Sequence, residues 1–357
     1  MGQDAASEAH HCRNTNVVRY FAGQKKFHMK NILITTFLIS GLTAWGQPKR
    51  VDFKPTTYYR NFSHKIAPVI KVAQGDTLVS ESVDAGGLDK TGTRVAERGN
   101  PLTGPFYIEG ALPGDIIAIT LTKVSLNRDY ATTVETFVRR SMPMDNIKEI
   151  YARNAKGIKW TLDRVNGYAK PQTVHEHLEN FRVELKPFMG CVGLAAPVKS
   201  KEPLTYFADQ YGGNMDFYKV TKGATVYLPV FHEGALLYIG DGHAVQGDGE
   251  INGDALETSM DFAFVARVIK GDSKITFPRI EDSEHIIAMG MDKTLEDALK
   301  TATLGLLEWV QKDYGLSLKE AAQVIGPSIE YRIPTLAGPK LEVAAMLKKE
   351  ILKGLKK

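Results

Sequence analysis

The sequence predicts a mainly β protein, a layered β-sandwich or barrel-like pair of sheets, with a helical segment towards its C-terminus. Three observations lead there. Short β-rich runs broken by Gly, Pro and Asp turns recur from residue 66 onward. Apolar residues fall into clear helical spacing only after residue 294. Residues 47–357 form one stretch, long enough for a large core and free of low-complexity tracts or solenoid repeats.

The N-terminal 46 residues read as processing signals. Residues 1–28 are polar, end in KKFH and read as an extension upstream of the natural start. Met29-Lys30-Asn31 then opens a basic region followed by ILITTFLISGLTAWG, the pattern of a secretory signal peptide over residues 29–46. Its apolar core falls short of the ~20 residues that a spanning helix needs. Ala44-Trp45-Gly46 offers small residues where a signal peptidase reads, so Gln47 is the expected mature N-terminus and the periplasm or exterior the expected location. An uncut signal anchor is the alternative.

The β pattern follows in three similar units. Val69–Val72 and Thr77–Val83 flank Gly75-Asp76, and Phe106–Glu109 and Ile116–Val124 flank Pro113-Gly114-Asp115. The third, YKVTKGATVYLPVFHEGALLYIGDGHA, turns at Lys222-Gly223 and Glu233-Gly234. Residues 261–288 read as a hairpin around Lys270-Gly271-Asp272. Thr294 is an expected N-cap for LEDALKTATLGLLEWVQKDYG, with Gly315 as its C-cap. Ser317 and Glu320 form a capping box for a second helix ending near residue 326. A basic helix is expected over 342–356.

Charge and cysteine content exclude whole classes. Five of the 45 Lys+Arg and two of the 41 Asp+Glu lie in residues 1–46, so the rest of the chain is almost neutral at +1. Without basic clusters interleaved with aromatics there is no electrostatic footprint for nucleic acid. Of the two cysteines only Cys191 lies beyond residue 46, so no intrachain disulfide staples the mature chain. Set between glycines and apolar residues in PFMGCVGLAAP, Cys191 reads as a small buried hydrophobe.

The candidate chemistry sits in GDGHAVQGDGEINGDALE, residues 240–257, where five acids and one histidine lie among five glycines. G-x-S-x-G, P-loop and dinucleotide fingerprints are missing from the sequence. Asp241 and His243 are two apart, so persisting strand geometry would bring both to one side, where they could ligate one cation. An EF-hand calcium loop does not match the spacing; surface turns remain the plainer reading. His175 and His177 read as solvated loop, and His232 and His285 as isolated polar residues.

The blocks GPFYIEGALPGD, YGGNMD and GDGHAVQGDGE, in this order and at these separations, resemble the acetamidase/formamidase family, as does the helical stretch from Asp292 to Ala322. The resemblance runs from about His64 to about Pro334. It implies a mostly β fold, hydrolysis of a short linear amide to carboxylate and ammonia, and a divalent cation, zinc or alternatively calcium. A small amide substrate and a homo-oligomer such as a dimer are the partners it implies. By motif it places His64, Asp84, Asp241 and His243 as metal ligands, and Asn214, Asp216, Gln246 and Asp248 as substrate-binding or positioning residues. Glu250 and Glu257 are its acid/base candidates. Glycines 240, 242, 247 and 249 would then let backbone N–H groups approach the substrate. The segment between 125 and 210 departs from the family, leaving open a lactam, another small C–N substrate, or a non-catalytic binding role.

Overall fold

The structure is a computed structural model and describes residues 47–148, 150, 157–173, 175–198, 201–271 and 275–355. The expected upstream extension and signal peptide lie outside the described residues.

Two mixed sheets pack face to face. The first runs, in spatial order, Arg50–Asp52 (β1), Thr77–Glu81 (β3), Met260–Ile269 (β16), Ile116–Leu126 (β5), Thr225–Pro229 (β13), Arg279–Glu281 (β17), His285–Asp292 (β18), Leu341–Lys348 (β20) and Glu330–Arg332 (β19). The second runs Ala208–Asp209 (β11), Gly212–Asn214 (β12), Phe188–Leu194 (β10), Leu237–His243 (β14), Glu257–Thr258 (β15), Tyr130–Val134 (β6), Gly157–Asp163 (β7), Tyr168–Pro171 (β8) and Val183–Glu184 (β9). Thr103–Ile108 (β4) joins it beside β14, and Ile70–Val72 (β2) pairs with β4. Phe106, Ile119, Met189, Ile239 and Phe264 belong to the large core cluster.

The three repeated units are corners rather than hairpins. Each enters its turn from one sheet and leaves in the other: β2 to β3, β4 to β5, and β13 to β14. The hairpin expected at Lys270-Gly271 is also not formed, because β16 pairs with β3 and β5 while β17 pairs with β13 and β18. Ten residues of β16 find partners along β5, a longer ladder than the three-residue β17 could offer.

Helices cover the outer face of the first sheet. Leu295–Tyr314 (α1) starts where the Thr294 side chain accepts from the Asp297 N–H and stops at Gly315 with φ 68°. Leu318–Ile325 (α2) carries the Ser317/Glu320 capping box. Along β18, Ile286 and Ala288 pack against these helices while Ile287, Met289 and Met291 face the inter-sheet core, the period-two alternation of a strand buried on both sides.

The same alternation corrects the expected C-terminal helix. Residues 341–348 are β20, paired along its full length with β18, and among the described residues of this stretch the only helix is Lys349–Leu352. Val343, Ala345 and Leu347 face the helices and Ala344 and Met346 the core. A run of Ala, Leu, Met and Lys has good helix propensity, but burying both faces in a sheet outweighs a few tenths of a kcal/mol per residue. Among the described residues no helix is long and apolar enough to cross a membrane.

Candidate active site

The site is built around a break in β14, which lies between β10 on one side and β4 and β15 on the other. The β10/β14 ladder pairs Cys191 with Gly240 and Met189 with Gly242 but skips Gly190 and Asp241. Asp241 takes φ 59° there, a left-handed conformation uncommon for a residue with a side chain. Its neighbours are equally unusual, with Asp216 at φ 43° and Glu250 at φ 45°. Three strained acids in one place are a mark of a functional site.

Their side chains converge over Gly190. A Cβ added to Gly190 would lie 2.7 Å from Asp241 Oδ2, 2.8 Å from Asp216 Oδ1 and 2.8 Å from His243 Cε1, so only glycine leaves the space they share. His243 Nε2 is 3.2 Å from Glu257 Oε1 and 3.4 Å from Asp241 Oδ1. Glu250 reaches the group from the turn after Gly247, held by a 2.7 Å hydrogen bond from Thr335 Oγ1. Asn214 Nδ2 donates to Asp216 Oδ2.

Gln246 sets the imidazole. Its amide nitrogen donates to the Asp216 and Pro334 carbonyls at 2.8 and 3.0 Å, which leaves its Oε1 as an acceptor 2.9 Å from His243 Nδ1. Nδ1 therefore carries the proton, and the opposite nitrogen faces two carboxylates. His243 Nε2, Asp216 Oδ1 and Glu257 Oε2 are buried and make no hydrogen bond. Unpaired atoms of this kind are costly unless something binds them.

The electrostatics agree with that crowding. Burial pushes Glu257 up to about 8 and Glu250 up to about 7, in both cases against the pull of the His243 charge. Burial likewise holds Asp216 well above the carboxylate range, with Glu250 and Asp241 adding to the effect. Desolvation works against a charge on His243, yet Glu257 and Asp241 raise it well above an ordinary histidine.

Two sets of donors suit a cation, Asp241/His243/Glu257 and Asp216/His243/Glu250, with ligand atoms within 4.8 Å of one another in each. Imidazole plus carboxylates is a donor set that fits zinc and similar divalent ions, and the unpaired atoms point where such an ion would sit. Above them opens a cavity of about 810 Å³, lined at its base by Asn214, Asp216, Asp241, Glu250 and Glu257.

Several expected site residues lie elsewhere. His64 stacks on His232, ring centroids 4.5 Å apart, and belongs to neither donor set. Asp84 is next to the site but already engaged: the Arg128 guanidinium donates to its Oδ2 at 2.6 Å and the Leu88 N–H to its Oδ1 at 2.8 Å. Its charge is balanced by that guanidinium, and it belongs to neither donor set. Asp248 is half exposed and 3.8 Å from Arg332, outside the cavity lining. Gly240 and Gly242 serve packing, since a Cβ would meet Leu102 at the first and Met260 at the second, and the Gly249 N–H is taken by the Ile333 carbonyl; a Cβ at Gly247 would meet nothing. Cys191 is fully buried, as expected.

Three contributors escaped the sequence reading. Arg128 bonds Asp84, Thr258 Oγ1 and the Glu257 carbonyl, bracing the strand that carries Glu257. Thr335 holds Glu250, and nothing around it in sequence marks it out. Glu342, on β20, is 2% exposed with an unpaired Oε2, and burial together with the Glu250 charge holds it well above its usual range. Its one signal was a lone acid opening an apolar run that was read as helix.

Two face-to-face sheets thus carry an acid-lined cavity beside a donor set suited to a metal. The sequence model of the Acetamidase/Formamidase family matches residues 48–207 and 197–286, and the chain belongs to that family. Membership supports hydrolysis of amide C–N bonds in general. A Schizosaccharomyces pombe protein named as a formamidase is 26% identical over 276 residues, 62% of this chain and 67% of its own. The acetamidase of Mycolicibacterium smegmatis is 33% identical over 141 residues, 33% of this chain and 34% of its own. A crystal structure of a predicted acetamidase/formamidase from Thermoanaerobacter tengcongensis superposes with a TM-score of 0.73 at 25% identity, covering 86% of this chain and 98% of that one.

Proposed function

We propose that the protein is an amidase that hydrolyses a small amide to a carboxylic acid and ammonia, with a divalent cation held by Asp241, His243 and Glu257 and with Glu250 as the proton carrier. The observation that carries this reading is His243 Nε2, buried, without a hydrogen bond and aimed between two carboxylates, on a ring that Gln246 orients through Nδ1. A divalent cation in that position, zinc by family resemblance, supplies Lewis acidity that makes water a nucleophile near neutral pH and stabilises the oxyanion.

The remaining steps belong to the chain. Glu250 takes the proton that water loses as its oxygen bonds to the carbonyl carbon, and gives it to the amide nitrogen as the C–N bond breaks. A carboxyl held near neutrality by burial suits both transfers. Asn214 orients Asp216 beside it. Ammonia leaves with the proton that Glu250 delivered, and the carboxylic acid retains the water oxygen.

The test is ammonia release from formamide, acetamide and a short amide panel, with metal content measured on protein purified without chelator. Ammonia above background and roughly one metal per chain support the reading; metal without turnover on any amide overturns the enzymatic part. Export is part of the same proposal, supported by the pattern of residues 29–46. N-terminal sequencing of protein from the producing cell should start at Gln47, and sedimentation should show a dimer.

A further inference from the structure

Resting on the amidase reading, we propose that the substrate is a monoamide with an anionic group at the far end of an apolar chain, its carboxamide on the acid floor and its anion at Arg139. The first observation is room. Acetamide has four non-hydrogen atoms and, at about 30 Å³ for each water-sized group, fills roughly 120 Å³. The cavity is about 810 Å³, in the range of sites that enclose far larger ligands.

The second observation is the character of the walls. Beside the acids the cavity is walled by two apolar segments, Phe137-Val138 and Leu336. Neither wall is a loose flap. The Val138 N–H donates to the Ile251 carbonyl at 2.7 Å, and Asn252 Nδ2 donates to the Val134 and Thr136 carbonyls, so the residues just after Glu250 fix this segment. Arg140 ties the two walls, donating to the Gly338 carbonyl at 2.5 Å. An apolar collar of this kind rewards methylenes that acetamide does not have.

The third observation is a cation left over. Arg139 lines the same cavity and is exposed. Unlike Arg140, it has no ion-pair or hydrogen-bond partner among the described residues. A guanidinium is suited to a carboxylate. The groups of the reacting end, Asp216, Asp241, Glu250 and Glu257, are buried, whereas Arg139 lies at the exposed part of the lining. A carboxylate held at the exposed Arg139 leaves the amide facing the buried acids, which gives the substrate one orientation, amide inward.

Acetamide, hexanamide and the monoamide of adipic acid separate the terms, since the last two differ only in a terminal methyl against a carboxylate. Ammonia release and calorimetric binding are measured for wild type and Arg139→Gln. Each buried methylene is worth about fourfold, so kcat/KM should rise at least tenfold, roughly, from acetamide to hexanamide. The adipic monoamide should gain about a further fivefold, the scale of an exposed ion pair. That last gain should vanish in Arg139→Gln and in about 0.5 M salt, where the Debye length is only a few ångströms. Acetamide as the best substrate, or a carboxylate preference that survives Arg139→Gln, overturns the proposal. If no amide turns over but the adipic monoamide binds with dependence on Arg139, the pocket assignment stands and the amidase reading falls. Neither binding nor turnover overturns both.

Discussion

Two buried groups of charges meet at Glu257, and they are built in opposite ways. On one side Asp84 and Arg128, with side chains 2% exposed, form an ion pair at 2.6 Å, and the guanidinium also bonds Thr258 and the carbonyls of Tyr130 and Glu257. On the other side Asp216, Asp241, Glu250 and Glu257 share a single imidazole and leave buried atoms of Asp216, His243 and Glu257 without hydrogen bonds. The first group completes itself and needs nothing further. The second is incomplete and therefore poised to bind. Buried acids alone do not mark a site; the state of their lone pairs does.

The sharpest way to break this comparison is at the acids of the incomplete group. Glu250→Gln should lower kcat by about 10²- to 10⁴-fold with metal content retained, because the amide keeps the shape but cannot carry the proton. Glu257→Gln should lose metal and activity together. Metal loss in the Glu250 variant instead would exchange the two roles.

At the complete group the effect should fall on stability. Arg128→Met removes one partner and strands the Asp84 charge, so unfolding in denaturant should show a loss of about 3–5 kcal/mol. Combining it with Asp84→Leu should recover much of that loss, since an apolar pair can replace a buried ion pair. Failure of the double variant to recover would mean that Asp84 does more than balance Arg128.

A smaller effect is expected from pH in chelator-treated protein. The carboxyls of Glu250 and Glu257 are raised to about 7 and about 8 when folded, from 4.5. Between those limits the folded chain holds protons that the unfolded chain has released, so stability is greatest below about 4.5 and declines as pH rises towards 8. Thermal melts from pH 5 to 8 should show that fall, and added zinc should flatten it by holding the carboxylates ionised. A melting temperature indifferent to both pH and zinc would remove the electrostatic frustration.

The smallest effect is expected at Asp248, half exposed and 3.8 Å from Arg332. Asp248→Asn should change stability by no more than about 0.5 kcal/mol, as surface substitutions usually do. Activity should stay within a few fold in the same ammonia assay.

Local chemistry made part of this legible. Thr294 and Ser317 announced their helices because capping is settled within four residues. Asp241 and His243 could be paired from spacing alone, although the left-handed turn at Asp241 could not. What stayed hidden depends on distant packing. β20 carries helix-forming residues and is a strand only because helices lie on one face and the core on the other. Arg128, 44 residues from Asp84 and 129 from Glu257, has no local signature. Gln246 and Asp248 stand two apart in the same motif, yet one is wired to His243 and the other faces solvent. The difference arises where the Gly249 N–H meets the Ile333 carbonyl, 84 residues further on.

The corner-crossing units also decide when this molecule can fold. The first sheet begins with Arg50–Asp52 and needs Leu341–Lys348 to complete its ladder, while the strands of the second are threaded between them in sequence. No contiguous N-terminal half contains a complete sheet, so early segments meet no finished partner surface. Most stabilising contacts span long separations, and loop closure must precede them. The chain should consequently fold slowly and in one concerted event, with its early strands unpaired until the last long one docks.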